Sequence, residues 1–337
     1  MFGRLKELLS LYGVSGDEGR VRRYIRDAVK PLCSEVYTDG MGNLYAHKKG
    51  EGPKIMLTAH MDESGLMVVG IMDDGLLAYT TDGIDPRVVV SKRVVVGKND
   101  IPAVIGSKAI HLQSKDDRKR ALKHDELFVD IGAKDKADAE KDVEVGDYVS
   151  FVSNFTELGD GFFASKAIDD RAGCAVLIEL LKGDYDCDLY AVFTVHHEIG
   201  QRGLQAAMYN VKPDLVLSVD GIEADDSIVR EGAVTNVACK GGAAISYMDS
   251  SLMVKYELFT ALRDTAIQND IPFTAVHGGA QPNGRTGRFL FGCPFGLIGI
   301  PVRQPHSPTS VAACQDVMAV MCLIDTFLKD KTYKEVL

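Results

Sequence analysis

The stretch KIMLTAHMDESG, residues 54–65, joins a short apolar run to a group of polar and charged side chains. The run is mostly apolar or small, and His60, Asp62 and Glu63 follow it directly. An apolar run of this length without a helical period is typical of a buried strand in an α/β sheet. Ligands of such sheets commonly bind at the carboxyl ends of the strands. The stretch therefore predicts a buried strand that ends at a functional site.

Four more segments carry a metal-binding type of side chain at or just after the end of a predicted strand. The apolar stretches that precede these side chains are residues 163–167, 189–195, 215–219 and 295–300. The candidate residues are Asp169, Glu198, Asp220 and His306. Because the carboxyl ends of parallel strands meet at one edge of a sheet, we expect these side chains to converge with His60.

Two imidazoles and three carboxylates suit a hydrolytic site with two divalent cations. Cations about 3.5–4 Å apart need a carboxylate that bridges them, and each takes imidazole and further carboxylate ligands. The His-x-Asp spacing also lets Asp62 hold the His60 ring through its second nitrogen. Each candidate alone has a plainer role, such as a helix N-cap for Asp169 or a turn for Asp220. Five such positions within one predicted sheet favour the metal site.

The rest of the sequence predicts two kinds of structure. Residues 66–158 alternate runs rich in Val and Ile with glycines and Asp-rich turns, which predicts a small β-barrel or sandwich. After residue 160, predicted strands alternate with helices, which is typical of a mostly parallel sheet covered by helices. We therefore predict an α/β fold. Its catalytic domain comprises residues 1–65 and 159–337, and residues 66–158 form an inserted β-barrel domain.

Two local patterns predict helix boundaries. Ser15 and Glu18 have the spacing of a capping box before a helix over roughly residues 17–30. A closing helix is predicted over Val311–Leu328.

The composition narrows the class of protein. The 337 residues carry a net charge of −10, which disfavours nucleic-acid binding because a phosphate-binding surface is basic. The seven cysteines include no C-x-x-C pair, so we expect free thiols in a reducing compartment. Neither a signal peptide nor an apolar run long enough for a membrane span is evident. We therefore expect a cytoplasmic protein without a nucleic-acid or membrane partner.

Seven stretches together resemble the family of dinuclear metallo-aminopeptidases that includes glutamyl and deblocking aminopeptidases. Some members of that family have been labelled glucanases, which is the weaker description. The stretches are LYGVSG (11–16), AHMDESG (59–65), DPRVVVSKRVVVG (85–97), IGSKAIH (105–111), ASKAIDDRAG (164–173), FTVHHEIGQRG (193–203) and IPVRQPHSP (300–308). The resemblance implies removal of N-terminal residues from peptides by a hydroxide that two divalent cations activate, zinc or cobalt foremost. It also implies a homo-oligomer, up to a tetrahedral dodecamer, to which the inserted domain contributes.

The family pattern divides the five candidate ligands between the two cations. His60 and Asp220 would bind one cation, and Glu198 and His306 would bind the other. Asp169 would bridge the two cations.

The sequence departs from the family pattern at the expected general base. The family has two consecutive glutamates where this chain has His197 and Glu198. A neutral imidazole, with a usual pKa near 6.5, can accept a proton, so we predict Asp62 and His197 as the catalytic residues. A ligand role for His197, hydrolysis of another amide, and metal binding without peptidase activity stay open as alternatives. A further departure, Gly278–Gln281 in place of Gly-Gly-Thr-Asp, affects the expected substrate pocket.

Overall fold

The computed structural model describes residues 1–81, 83–153, 155–227, 235–249, 252–277 and 292–337. The departure at residues 278–281 lies outside the described residues. In chain order, the strands are β1 (Glu35–Thr38), β2 (Leu44–Lys48), β3 (Lys54–His60), β4 (Leu66–Ile71), β5 (Leu77–Thr81), β6 (Arg93–Val96), β7 (Ile101–Ser107), β8 (Leu127–Asp130), β9 (Tyr148–Phe151), β10 (Thr156–Leu158), β11 (Phe162–Ser165), β12 (Asp188–Thr194), β13 (Leu215–Glu223), β14 (Ala243–Met248), β15 (Phe273–His277), β16 (Phe295–Arg303) and β17 (Ser310–Ala313). The helices are α1 (Phe2–Ser10), α2 (Gly19–Val29), α3 (Pro86–Val89), α4 (Lys136–Ala139), α5 (Ile168–Leu180), α6 (Arg202–Val211), α7 (Tyr256–Gln268) and α8 (Cys314–Lys329).

The main sheet has parallel central strands and antiparallel edges. Its order is β1-β2-β12-β3-β13-β16-β17-β11-β10, and β14 pairs with both β15 and β16. Neighbours in the central group β12-β3-β13-β16 run parallel to each other, whereas β2, β14 and β17 join that group antiparallel. The predicted α/β class is confirmed, in the form of a mixed sheet.

Burial explains why β3 occupies the centre of the sheet. Its residues Ile55, Met56 and Leu57 are fully buried, and α5 packs directly against it. The apolar stripe of α2, formed by Val21 and Ile25 with Val29, is also buried in the same core. Burial of a large aliphatic side chain contributes about 1.5–3 kcal/mol, so this core holds the strand ends in fixed positions.

The second unit of the fold is a closed β-barrel. Its strand order is β4-β5-β8-β7-β6-β9, and β9 closes the ring on β4. A separate apolar core fills its interior, with Val68, Val129 and Val149 fully buried. The barrel confirms the all-β character predicted from the sequence. Because the chain enters it directly after β3, it lies next to the carboxyl end of that strand.

Two local predictions are wrong. The side chains of Ser15 and Glu18 do not form a capping box. The Ser15 hydroxyl donates a hydrogen bond to Asp62, and the Glu18 carboxylate accepts hydrogen bonds from the N–H groups of Gly16 and His196. The start of the predicted closing helix is instead strand β17, since residues 310–313 pair with β11 and β16. Among the described residues, no helix combines the length and the apolar character that a membrane span needs.

Candidate metal site

The sheet register brings three of the candidate side chains to one edge. His60 is the last residue of β3 and pairs with Thr194 of β12, just before Glu198 in the chain. On the other side of β3, Ser218 pairs with Thr58, so Asp220 lies two residues further along a parallel strand, beside His60. The convergence predicted from strand ends is therefore present in this part of the site.

The other two candidates reach this edge from loops. Asp169 follows β11 at the beginning of α5, and His306 follows β16. The backbone is left-handed at Ala167 (φ 56°), His196 (φ 55°) and His306 (φ 52°). Residues other than glycine adopt such angles at a cost of about 1–3 kcal/mol, and they cluster at functional sites. The loops that carry Asp169, Glu198 and His306 therefore all contain locally strained backbone.

Asp169 lies between two pairs of side chains. Its Oδ1 is 3.2 Å from His60 Nε2, which is in turn 3.5 Å from Asp220 Oδ1. Its Oδ2 is 3.8 Å from His306 Nε2, which is 3.3 Å from Glu198 Oε2. One carboxylate thus presents each of its oxygens to a different imidazole and carboxylate pair.

Asp62 supports the site from behind. The carbonyl oxygen of Asp62 is 3.0 Å from His60 Nδ1, whereas its carboxylate Oδ1 is 3.6 Å away, so the backbone lies nearer to the ring. The carboxylate accepts hydrogen bonds from the N–H groups of His197 and Glu198, both at 3.0 Å, and from the Ser15 hydroxyl at 2.6 Å. Asp62 therefore fixes the His60 ring and the loop that carries Glu198.

His197 lies on the His60 side of the site. Its ring stacks on the His60 ring, with centroids 3.9 Å apart and planes 12° apart. Its Nε2 is 3.7 Å from Asp220 Oδ2. Both rings are buried, so neighbouring side chains fix the position of each imidazole.

Asp170 was not among the predicted site residues. Its Oδ2 accepts a hydrogen bond from the N–H of His60 at 3.2 Å, and its Oδ1 accepts one from Gly173 at 3.0 Å. It lies with Asp169 and Asp220 in one cluster of carboxylates. The sequence signal was the Asp-Asp pair itself, but only the fold shows that the second Asp anchors β3.

The sequence also did not predict a buried ion cluster of Glu63, Lys166 and Arg171. Glu63 contacts Lys166 at 2.7 Å and Arg171 at 3.5 Å, and all three side chains are almost fully buried. Burial lowers the pKa of Lys166 to about 8, although the charge of Glu63 opposes this effect. Arg171 also donates to the carbonyl oxygen of Met61 at 2.6 Å. The cluster therefore ties the loop after β3 to the start of α5.

The electrostatics of the site favour cations. Burial and the charge of Asp169 raise the pKa of Glu198 well above its usual value. Burial opposes protonation of His60, yet the surrounding carboxylates, Asp169 and Asp220 foremost, raise the pKa of its imidazole well above the usual value. Crowded, buried carboxylates lower their repulsion by binding protons or cations. The site thus concentrates negative charge where positive charge would be stabilised.

The donor set fits divalent metal ions. Within the described residues, three groups have ligand atoms within 4.8 Å of one another: His60 with His197 and Asp220, His60 with Asp169 and Glu198, and Asp169 with Asp170 and Asp220. Mixed imidazole and carboxylate shells are typical of zinc and of other transition metals. The shared carboxylate of Asp169 is the feature that a pair of ions requires.

Comparison with solved structures defines the class of protein. A TET aminopeptidase from a marine sediment archaeon of the Thaumarchaeota has a TM-score of 0.94, with 29% identity over 99% of this chain and 97% of that chain. The TET1 peptidase of Pyrococcus horikoshii, which can assemble into a tetrahedron or a large octahedral shell, has a TM-score of 0.88. It is 26% identical over 98% of this chain and 99% of that chain. The fold is therefore that of these TET peptidases.

Sequence comparison identifies the family. Residues 42–323 match the M42 glutamyl aminopeptidase family. A protein of Acetivibrio thermocellus that carries an aminopeptidase name is 36% identical over 330 residues, which are 96% of this chain and 98% of that protein. The chain belongs to the M42 glutamyl aminopeptidase family, as the resemblance of its motifs predicts.

Proposed function

We propose that this chain is an aminopeptidase that removes N-terminal residues from peptides and depends on two divalent cations. The position of Asp169 carries the proposal, because its two oxygens face two different imidazole and carboxylate pairs. His60 and Asp220 would hold one cation, Glu198 and His306 the other, and Asp169 would bridge them. Zinc and cobalt are the foremost candidates, since both accept mixed imidazole and carboxylate ligands.

The residues around the ligands would prepare the site for hydrolysis. Two bound cations would lower the pKa of a shared water and polarise the peptide carbonyl. Asp62 keeps Glu198 in place through the N–H bonds it accepts. We assign two roles to His197: it would accept a proton from the attacking water, and it would then donate that proton to the leaving amine. Its Nε2 faces the cluster beside Asp220, which suits a group that moves protons at the site.

The experiment is the release of N-terminal residues from a set of peptides after loading with zinc, cobalt or manganese. The proposal predicts release that disappears when a chelator removes the metal and returns when metal is restored. The Asp169→Asn variant should release nothing and should bind fewer cations than the wild type. Absence of release from every peptide, with two cations bound, would contradict the peptidase assignment while leaving the metal site intact.

The alternative proposal is a metal-binding protein without peptidase activity or a hydrolase of another amide. His197 stands where the family has its glutamate base, and its ring is held by stacking on His60. His197→Glu distinguishes the candidates. Peptidase activity that exists only in the variant would show that the natural chain is not a peptidase. A screen of acylated amino acids would detect activity on other amides.

We further propose that the barrel domain, residues 66–158, mediates a homo-oligomer as large as a tetrahedral dodecamer. The support is the similarity to a peptidase that can form a tetrahedron. Light scattering combined with size-exclusion chromatography measures the particle mass. A mass of one chain at micromolar concentration would contradict this proposal.

We also propose that the protein is cytoplasmic, which agrees with its seven free cysteines.

A further inference from the structure

A cavity of about 260 Å³ opens beside the proposed metal ligand Glu198, between the main sheet and the barrel. One wall is the loop before α2, with Val14 and Ser15, and another is the pair of barrel strands β4 and β5. Met67 of β4 lies directly across from Thr80 of β5 in the strand register, and both line the cavity. The cavity therefore adjoins the site at Glu198 and is bounded by both parts of the fold.

The cavity wall offers mostly apolar surface. Among the described residues that line it, Glu198 is the one side chain that carries a carboxylate, ammonium, guanidinium or imidazole group. Two of its hydroxyls already donate hydrogen bonds within the protein: Ser15 donates to Asp62, and Thr81 donates to the carbonyl oxygen of Gly65. A charged side chain in this cavity would lose its hydration without gaining a partner of opposite charge from the barrel strands.

The size of the cavity suits a single large side chain. An apolar cavity of about 150 Å³ already holds benzene. A space of about 260 Å³ therefore admits a leucine, methionine or phenylalanine side chain with room for solvent at its mouth. It is too small to enclose a long stretch of peptide.

We propose that this cavity binds an uncharged, apolar side chain of the peptide substrate, at one of the two residues that flank the scissile bond. The inference rests on the proposed aminopeptidase function, because it takes Glu198 as a metal ligand and hence the cavity as adjacent to the reacting carbonyl. It assigns Met67 and Thr80 as residues that determine specificity. The chain would then prefer leucine, methionine or phenylalanine to glutamate or lysine at that position.

The test compares two peptide series, varied at the first and at the second residue, in the zinc-loaded or cobalt-loaded wild type and in three variants. Met67→Glu and Thr80→Glu place a carboxylate in the cavity from opposite strands. Val69→Glu is the matched control, because Val69 lies on the same strand, is 50% exposed and does not line the cavity. Unfolding midpoints and metal content establish that each variant is folded and loaded.

The expected result is a fall of about tenfold or more in kcat/KM for apolar residues at one of the two positions, with a relative gain for lysine. It should occur in Met67→Glu and Thr80→Glu and be absent in Val69→Glu. Selectivity that stays the same at both positions in both cavity variants would overturn the proposal.

A binding measurement separates this proposal from failure of the peptidase assignment. If the wild type cleaves no peptide, calorimetry with free leucine, glutamate and lysine on the metal-loaded protein replaces the kinetic assay. Leucine binding that exceeds the binding of the other two, and that is lost in Met67→Glu, would support the pocket even without peptidase activity. Equal binding of the three amino acids, or no binding of any, would overturn it.

Discussion

The fully buried carboxylate of Asp62 offers a perturbation whose size follows from the structure. Asp62→Asn keeps the shape of the side chain and exchanges one oxygen for an NH2 group. Oδ2 accepts hydrogen bonds from two donors, the Glu198 N–H and the Ser15 hydroxyl, whereas Oδ1 accepts one from the His197 N–H and lies 3.6 Å from His60 Nδ1. The amide oxygen of Asn is therefore expected to replace Oδ2, which leaves the NH2 group facing the N–H of His197.

The expected loss of stability is the sum of two contributions. A buried N–H without an acceptor costs about 1–3 kcal/mol. Each of the two remaining bonds changes from a charged to a neutral acceptor, which weakens it by about 1 kcal/mol. The free energy of unfolding should therefore fall by about 3–5 kcal/mol. Because the loop that carries Glu198 loses part of its support, metal affinity should also fall, by about 10–100-fold.

Urea denaturation of the metal-free protein measures the first effect, and competition with a chelator measures the second. Ser15→Ala is the control, because it removes one donor and leaves the carboxylate and both N–H bonds in place. Its effect on stability should be about 1 kcal/mol, and its metal affinity should stay closer to that of the wild type. Asp62→Asn with unchanged stability and unchanged metal affinity would refute the role assigned to this carboxylate.

Two further predictions concern the ion cluster and the division of ligands. Lys166→Met leaves the buried Glu63 without its 2.7 Å partner, so the free energy of unfolding should fall by about 3–5 kcal/mol in urea denaturation. The double variant with Glu63→Gln should recover most of that loss, and a double variant as unstable as the single one would contradict the pairing. Glu198→Ala should weaken binding of one cation in calorimetric titration, whereas Asp169→Ala should weaken both. Loss of both cations in each variant would argue against two separable sites.

The sequence was informative where local pattern and burial agree. Strand β3 is recognisable from its apolar run, and its position in the sheet places His60 at the edge that the pattern predicted. The same reasoning placed Asp220 directly after the apolar run 215–219, although strand β13 continues to Glu223. Fully buried parallel strands carry their own signal and can be recognised without knowledge of the fold, whereas the ends of β13 and β16 depend on the pairing of these two strands.

The features that the sequence did not reveal depend on contacts between distant residues. Ser15 and Glu18 have the spacing of a cap, but their partners Asp62 and His196 are far away in the chain. Strand β17 overlaps the start of a stretch predicted as helix and forms because β11 and β16 supply ladder partners. Tertiary contacts override local preference at these positions.

The comparison with the family also guides the interpretation of His197. The family pattern has a glutamate base at the position of His197. In this chain, the His197 imidazole stacks on His60, and its Nε2 is 3.7 Å from Asp220 Oδ2. Neither the spacing nor the composition of the sequence predicts that stacking. The fold alone does not define the function of His197, so kinetic measurements on variants of this residue are the most informative experiments.

The most direct test of the proposed pair of cations is anomalous X-ray diffraction from crystals of the protein saturated with zinc. Two peaks about 3.5–4 Å apart are expected, with the Asp169 carboxylate between them. His60 and Asp220 should contact one peak, and Glu198 and His306 the other. A single peak, no peak, or two peaks of which neither contacts Asp169 would contradict the proposed metal site.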